Sequence, residues 1–278
     1  YTPEIDNELF FRLRARNAPG MMSYLDSDLL ISPTNYQKST APKILHNKIK
    51  VIHDGIETDV IKPQEKSFLK FTHMGKEVKL TKKDKIITFV SRNLELYRGY
   101  HIFMRSLPII QKNHPDAFIL IIGGDSVSYG ASANNGKSYK DIYYDEVKGD
   151  LTNHENIIFL GNLDYNLFLT ALDISDAHIY LTYPFVLSWS MLEAMSLEKL
   201  VIGSKTKPVE ELIKNNHNGL LFDFFDYKKL AELTSDVLQN SEKYNKIRKN
   251  ARKTIIESYD LKTKILPRQL DLVEEMLR

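Results

Sequence analysis

The stretch IITFVSRNLELYRGYHIFMRSLPIIQKNHPDAFILIIGG, Ile86 to Gly124, decides the fold. It opens on a β-branched and apolar run over 86–90, continues through a helical pattern over 99–113, and closes on a second apolar run over 118–122. Runs with almost no polar alternation are what strands covered on both faces require. A strand, a crossover helix and a second strand of this length make one parallel unit.

The unit repeats down the chain. Further strands are expected at 157–159, 177–180, 200–202 and 220–222, and helices at 139–150, 165–172, 190–197 and 209–215. Helices at 227–238, 242–258 and 262–277 follow, and Pro267 should kink the last one or set a boundary. The expected class is α/β, a doubly wound parallel sheet of Rossmann-like type. Before residue 85 the pattern changes. Residues 4–22 look helical, interrupted or ended near Pro19-Gly20, and strands are expected at 29–32 and 49–52 with a helix between them. Residues 62–84 are charged and lack apolar periodicity, a linker or a small excursion. The first sixty or so residues read as the tail of another α/β unit, too short for the roughly 100–150 residues of a usual domain. The chain opens at Tyr1 and not at methionine, which leaves room for residues upstream.

Composition narrows the function classes. At 278 residues and 42% hydrophobic the chain can bury a substantial core. Its 38 basic and 36 acidic residues leave a net charge of +2, with no footprint for nucleic acid. The absence of cysteine excludes disulfides, cysteine-bound zinc and thiol catalysis. No apolar run approaches the roughly 20 residues of a membrane span, and no signal peptide is visible. A cytoplasmic protein is the expectation. The basic stretch SEKYNKIRKNARK, Ser241 to Lys253, reads as a solvated helix face; weak peripheral contact with the inner membrane face is the minor reading.

Ligands of doubly wound sheets bind beyond the carboxyl ends of the strands. After the first strand come Arg92 and Arg98, six positions apart beside the positive end of a helix. That pair makes a natural diphosphate clamp, set against the plainer reading of two solvated arginines. Gly123-Gly124 and Gly161 let backbone approach a ligand, whereas 126–136 reads as a plain loop. Glu193, in YPFVLSWSMLEAMSLEKLVIG from Tyr183 to Gly203, sits where a core helix would carry an apolar residue. Two readings compete: Ser190 and Glu193 form a capping box, or the carboxylate holds a ligand. Asp26-Ser27-Asp28 reads as helix-end chemistry, and the eight histidines have no metal-binding spacing. His101 and His178 are expected in the core.

Together SRNLELYRGYHIFMRSLP, Gly123-Gly124, IIFLGNL, TYPFVLSWSMLEAM, PVEELI and NGLLFD resemble, in order and spacing, the donor half of GT-B glycosyltransferases of family four. VIHDGIET, Val51 to Thr58, resembles the turn with which that family leaves its acceptor domain. The likeness is greatest to bacterial members associated with surface polysaccharides and glycoconjugates. It implies a retaining, metal-independent transferase that moves a sugar from a nucleotide diphosphate sugar to a carbohydrate or lipid-linked acceptor, with no cofactor. It also implies four parts: 1–62 as the end of the acceptor domain, an incomplete lobe; 63–84 as a linker; 85–258 as the donor domain; and 259–278 as a closing helix packing back on the first lobe. Glu193 matches the second glutamate of the family's E-x7-E motif and would hold the ribose hydroxyls. Arg92 and Arg98 match its diphosphate-gripping pair, with arginine in place of lysine at Arg98, and would serve in catalysis. Gly123, Gly124, Gly161, Leu163, Phe185, Val186, Leu187 and Ser188 complete the expected donor site. Phe185 stands where the first glutamate belongs, Glu198 where a glycine usually ends the helix, and Leu200 where proline usually opens the strand. Rival readings are a nucleotide-sugar binding protein without transferase activity and a GT-B epimerase. The chain as given is expected to transfer sugar poorly, and its incomplete lobe to favour self-association.

Overall fold

The computed structural model describes residues 6–133 and 136–278; residues 4 and 5 of the expected first helix and 134–135 of the expected loop lie outside the described residues. The chain divides into two compact units, Tyr1–His53 and Asp54–Arg278.

In the first unit, helix α1 (Asn7–Asp26) precedes strand β1 (Leu30–Ser32), helix α2 (Asn35–Thr40) and strand β2 (Ile49–Val51), and the two strands pair in parallel. The Asp6 carboxylate starts α1 by accepting the Leu9 amide at 2.7 Å, and Ser27 caps its end between Asp26 and Asp28. The expected break at Pro19-Gly20 does not occur, because both residues lie inside α1. None of the residues of α1 is buried. A proline removes one amide from the ladder, and on so exposed a helix water can take the carbonyl it frees.

The second unit begins with a hairpin, β3 (Phe68–His73) and β4 (Lys76–Thr81), where the sequence suggested a linker or small excursion. Leu69 and Leu80 turn inward while the lysines around them face water. Lys82 anchors the end of the hairpin on the buried Asp173 at 2.9 Å.

Six parallel strands follow: β5 (Ile86–Asn93), β6 (Phe118–Gly124), β7 (Ile157–Gly161), β8 (Ala177–Tyr180), β9 (Leu200–Ser204) and β10 (Leu220–Phe222), in the order β10-β9-β8-β5-β6-β7. Between and after them run α3 (Tyr100–Asn113), α4 (Tyr139–Val147), α5 (Tyr165–Ile174), α6 (Trp189–Ser196), α7 (Lys207–Leu212), α8 (Tyr227–Gln239), α9 (Asn245–Tyr259) and α10 (Leu266–Leu277). Alternate residues of each strand enter opposite cores. Ile87, Phe89, Ile119, Ile121 and Ile179 pack with α3 and α8, while Leu120, Ile122, Tyr180 and Val201 pack on the side of α5 and α6. The strand order reverses between β5 and β8, and it is outside the carboxyl ends of the strands at such a reversal that sheets of this kind bind ligands.

Two expectations near the carboxyl end resolve. Pro267 sits in the first turn of α10, after a single π-helical turn over Leu261–Ile265, and so marks a boundary. The basic stretch at 241–253 is more than a solvated face. Lys246, Lys249 and Lys253 are exposed, but Arg248 donates to the carbonyls of Ser241 and Asp176, and Arg252 to those of Thr58, Ile61 and Ser196.

Candidate functional site

The two arginines that the sequence paired differ sharply in environment. β5 continues past its expected end to Asn93, so Arg92 lies on the strand and is exposed. Arg98 ends a short 3-10 turn over Leu96–Arg98 and is only 6% exposed. Its guanidinium donates to Thr182 Oγ1 at 2.9 Å, to the Val186 carbonyl at 3.0 Å and to Tyr180 Oη at 3.4 Å. The rings of Tyr129 and Phe185 lie over it, with centroids 5.4 and 5.6 Å away. Every one of these partners is neutral. The chain can turn so tightly after Arg98 because Gly99 has φ +67°; a Cβ there would stand 2.5 Å from Leu181 Cβ.

Sequence reasoning overlooked Glu95. Its carboxylate, 1% exposed, accepts the amides of Ser128, Tyr129 and Gly130 at 3.3, 3.1 and 3.1 Å. Ser126 Oγ donates to Asn93 Oδ1 at 2.8 Å, and Asn93 Nδ2 donates to Ser128 Oγ at 2.6 Å. The start of the expected plain loop is therefore pinned to β5, and the pinning sets Tyr129 over Arg98. The signal available in the sequence was an acid lodged between two arginines.

The strand-end glycines divide by environment. A Cβ on Gly123 would lie 2.3 Å from the Ser91 carbonyl oxygen, and one on Gly124 2.6 Å from Asn93 Oδ1. The close packing of β5 against β6 demands the first, whereas at the second it is the Asn93 side chain that would have to move. Gly161 has φ +62° with open space around it, and Leu163 packs back onto the core beside β7.

Glu193 does not cap its helix. α6 begins at Trp189 with Ser188 at the cap position, so Glu193 falls in the second turn, beyond reach of the free amides. Its carboxylate, 3% exposed, accepts the hydroxyl of Tyr165 at 2.6 Å. Burial pushes its pKa above the ordinary carboxylate value, and the bond from Tyr165 partly offsets this. Glu193, Tyr165 and Trp189 line a cavity of about 240 Å3 together with Asp54, Gly55 and Glu57. Trp189 Nε1 donates to Asp54 Oδ2 at 3.1 Å. Sequence reasoning missed Tyr165 because the first residue of an amphipathic helix carries no mark of what its side chain will meet.

The connection from β8 to α6 joins these parts. Tyr180 Oη accepts the Ser188 amide at 2.7 Å as well as the contact from Arg98. The Ser188 amide is thus already engaged. Phe185 is held between Tyr97 and Tyr129, at ring separations of 6.4 and 4.8 Å. His101 and His178 sit in the core as expected. His178 is fully buried beside Thr88, and burial depresses His178 to about 3 and His101 to about 4. Among the described residues no group of three or more His, Asp or Glu could hold a metal ion, and no helix is long and apolar enough to cross a membrane.

Residues 73–254 match the family profile described as glycosyl transferases group 1, and residues 1–61 match that of a glycosyl transferase family 4 group. The chain is 26% identical over 256 residues to spore coat protein SA of Bacillus subtilis, across 90% of this chain and 66% of that protein. It is 23% identical over 221 residues to an uncharacterized glycosyltransferase of Methanocaldococcus jannaschii, across 78% of this chain and 50% of that one. The chain therefore spans at most about two thirds of the length of these relatives. Among solved structures, a glycosyltransferase of Rickettsia africae superposes with a TM-score of 0.71 at 19% identity, covering 100% of this chain and 69% of its own. Anabaena HepE in complex with UDP and glucose gives 0.69 at 18% identity, covering 90% and 64%. At such identities the likeness bears on the fold, which is GT-B.

Proposed function

Because the chain belongs to the group 1 glycosyltransferases, we propose that it binds a nucleotide diphosphate sugar in the crevice beyond β5 and β8 and serves in transfer of the sugar to an acceptor hydroxyl. One observation carries this reading. Arg98 is a buried cation whose hydrogen-bond and ring partners among the described residues are all neutral. A charge held away from water without a counterion is costly, and an anionic ligand supplies what is missing.

On this reading Arg98 and the exposed Arg92 take up the charge that accumulates on the departing diphosphate. Glu193, an acceptor-only group when ionised, receives the ribose hydroxyls. The open backbone at Gly161 and the turn to Leu163 approach the base, and the 185–188 connection borders the sugar. The transition state is oxocarbenium-like, and transfer proceeds with retention and without a metal ion. Residues 85–258 form the donor domain, the 63–84 segment with its hairpin packs against that domain and follows the end of an acceptor domain at 1–62, and 259–278 carry the last helix.

The test is calorimetry with nucleosides, monophosphates and diphosphates of uridine, guanosine and adenosine, with and without a chelator. UDP comes first, since HepE of the same fold was crystallised with it. Affinity should climb with each phosphate and ignore the chelator. A flat series would overturn the reading. Phe185 favours a second reading, binding without transfer, because its ring packs with Tyr97 and Tyr129 where the family places a carboxylate. Product analysis with labelled UDP-glucose and other nucleotide sugars separates transfer, isomerisation and neither.

A further inference from the structure

We propose that Tyr165 is the positioning residue for Glu193, fixing its carboxylate so that both oxygens are ready for a vicinal diol. The proposal rests on the donor-binding reading above. It starts from the composition of the cavity of about 240 Å3, in which Glu193 is accompanied by Asp54 and Glu57 and by no basic residue. A carboxylate that is 3% exposed in such surroundings has no counterion among the described residues. Its one hydrogen bond among the described residues comes from Tyr165 Oη.

The indole of Trp189, the other side-chain donor in the cavity, is already directed to Asp54 at 3.1 Å. Tyr165 therefore does what no neighbour can. A phenol donates one proton without neutralising the acid, so Glu193 keeps its charge and its remaining lone pairs. That bond also stops rotation about the terminal carbon–carbon bond, which is otherwise broad. A ligand then meets an acceptor whose plane is already set, and binding costs less ordering. The tyrosine can act this way because α5 begins at Tyr165, directly after the turn that leaves β7. Its ring stays half exposed while its hydroxyl reaches the next helix.

The experiment uses the full chain, with whichever of UDP, GDP and ADP the wild type binds tightest, and the 2′,3′-dideoxy form of that nucleotide. Tyr165→Phe removes one oxygen from a half-exposed ring. It should weaken the natural diphosphate 3- to 10-fold, leave the dideoxy form unchanged, and have no further effect in a Glu193→Gln background. Tyr165→His, which retains a donor, should recover part of the loss. Unchanged binding by Tyr165→Phe, or an equal loss for both ligands, would overturn the positioning role while leaving the donor-binding reading in place. A wild type that binds none of the three nucleotides would overturn both.

Discussion

The guanidinium of Arg98 donates to the hydroxyl of Thr182 at 2.9 Å, so a full charge is met by a dipole. The pairing suits a residue waiting for an anion better than one that stabilises the fold by itself. Arg98→Ala should weaken binding of a nucleoside diphosphate by about 1.5–3 kcal/mol, the range for hydrogen bonds to charged groups. Nucleoside binding should stay as it is. Calorimetry on the folded variant decides; an unaltered phosphate dependence would assign Arg98 to structure alone.

On the donor-binding reading proposed above, Glu193 should make nucleotide binding pH-dependent. Burial raises its pKa in the folded protein, so the protonated form persists above the usual carboxylate range. The protonated acid loses acceptor capacity, and affinity for a ribose-containing ligand should rise as pH climbs through the raised value. Stability runs the other way. This group's contribution is fully present below its unfolded pKa and is lost as pH rises through the folded one. Titrating the same nucleotide against wild type and Glu193→Gln from pH 5 to 8 cancels ionisation of the phosphates. Identical slopes would remove Glu193 from the account.

Glu198 follows α6 with φ +57°, its amide bonded to the Met195 carbonyl. A side chain in this left-handed position costs about 1–2 kcal/mol, which glycine avoids. Glu198→Gly should therefore raise unfolding free energy by about 0.5–1 kcal/mol after its own loss of chain entropy. Urea denaturation measures it, and a destabilised variant would refute the strain.

The glycines at the strand ends should rank by surroundings. Gly123→Ala meets the Ser91 carbonyl oxygen at 2.3 Å, whereas Gly161→Ala meets open space and only the backbone penalty. Thermal unfolding should show a loss above about 3 kcal/mol for the first and about 1–2 kcal/mol for the second. Equal losses would mean that β5 and β6 separate easily at their ends.

How legible all this was in the sequence depended on what each residue answers to. The six strands of the sheet were readable because a strand buried on both faces is dominated by apolar residues, and β8 falls on the expected residues 177–180. Their carboxyl ends were not, since Arg92 and Gly124 continue strands with residues of no β preference. The hairpin β3–β4 escaped because its apolar anchors are few, Leu69, Leu80 and some half-buried neighbours. Arg98 was singled out by its spacing from Arg92, and Glu193 by its charge in an apolar run and by the family resemblance. Glu95 and Tyr165, which hold the Tyr129 loop and the Glu193 carboxylate, act through backbone amides and a neighbouring helix, contacts with no fixed spacing in the chain.

Tyr180 ties the site together more tightly than its place in the core suggests. Its hydroxyl meets Arg98 and also takes the Ser188 amide that opens α6, the helix carrying Glu193. The phosphate end and the sugar-ring end of a nucleotide would then be gripped by two jaws on a common pivot. Nucleoside and pyrophosphate offered as separate fragments should bind with energies whose sum falls short of the intact nucleotide by more than linkage entropy explains. That surplus should shrink in Tyr180→Phe, where the pivot is cut and each jaw moves by itself.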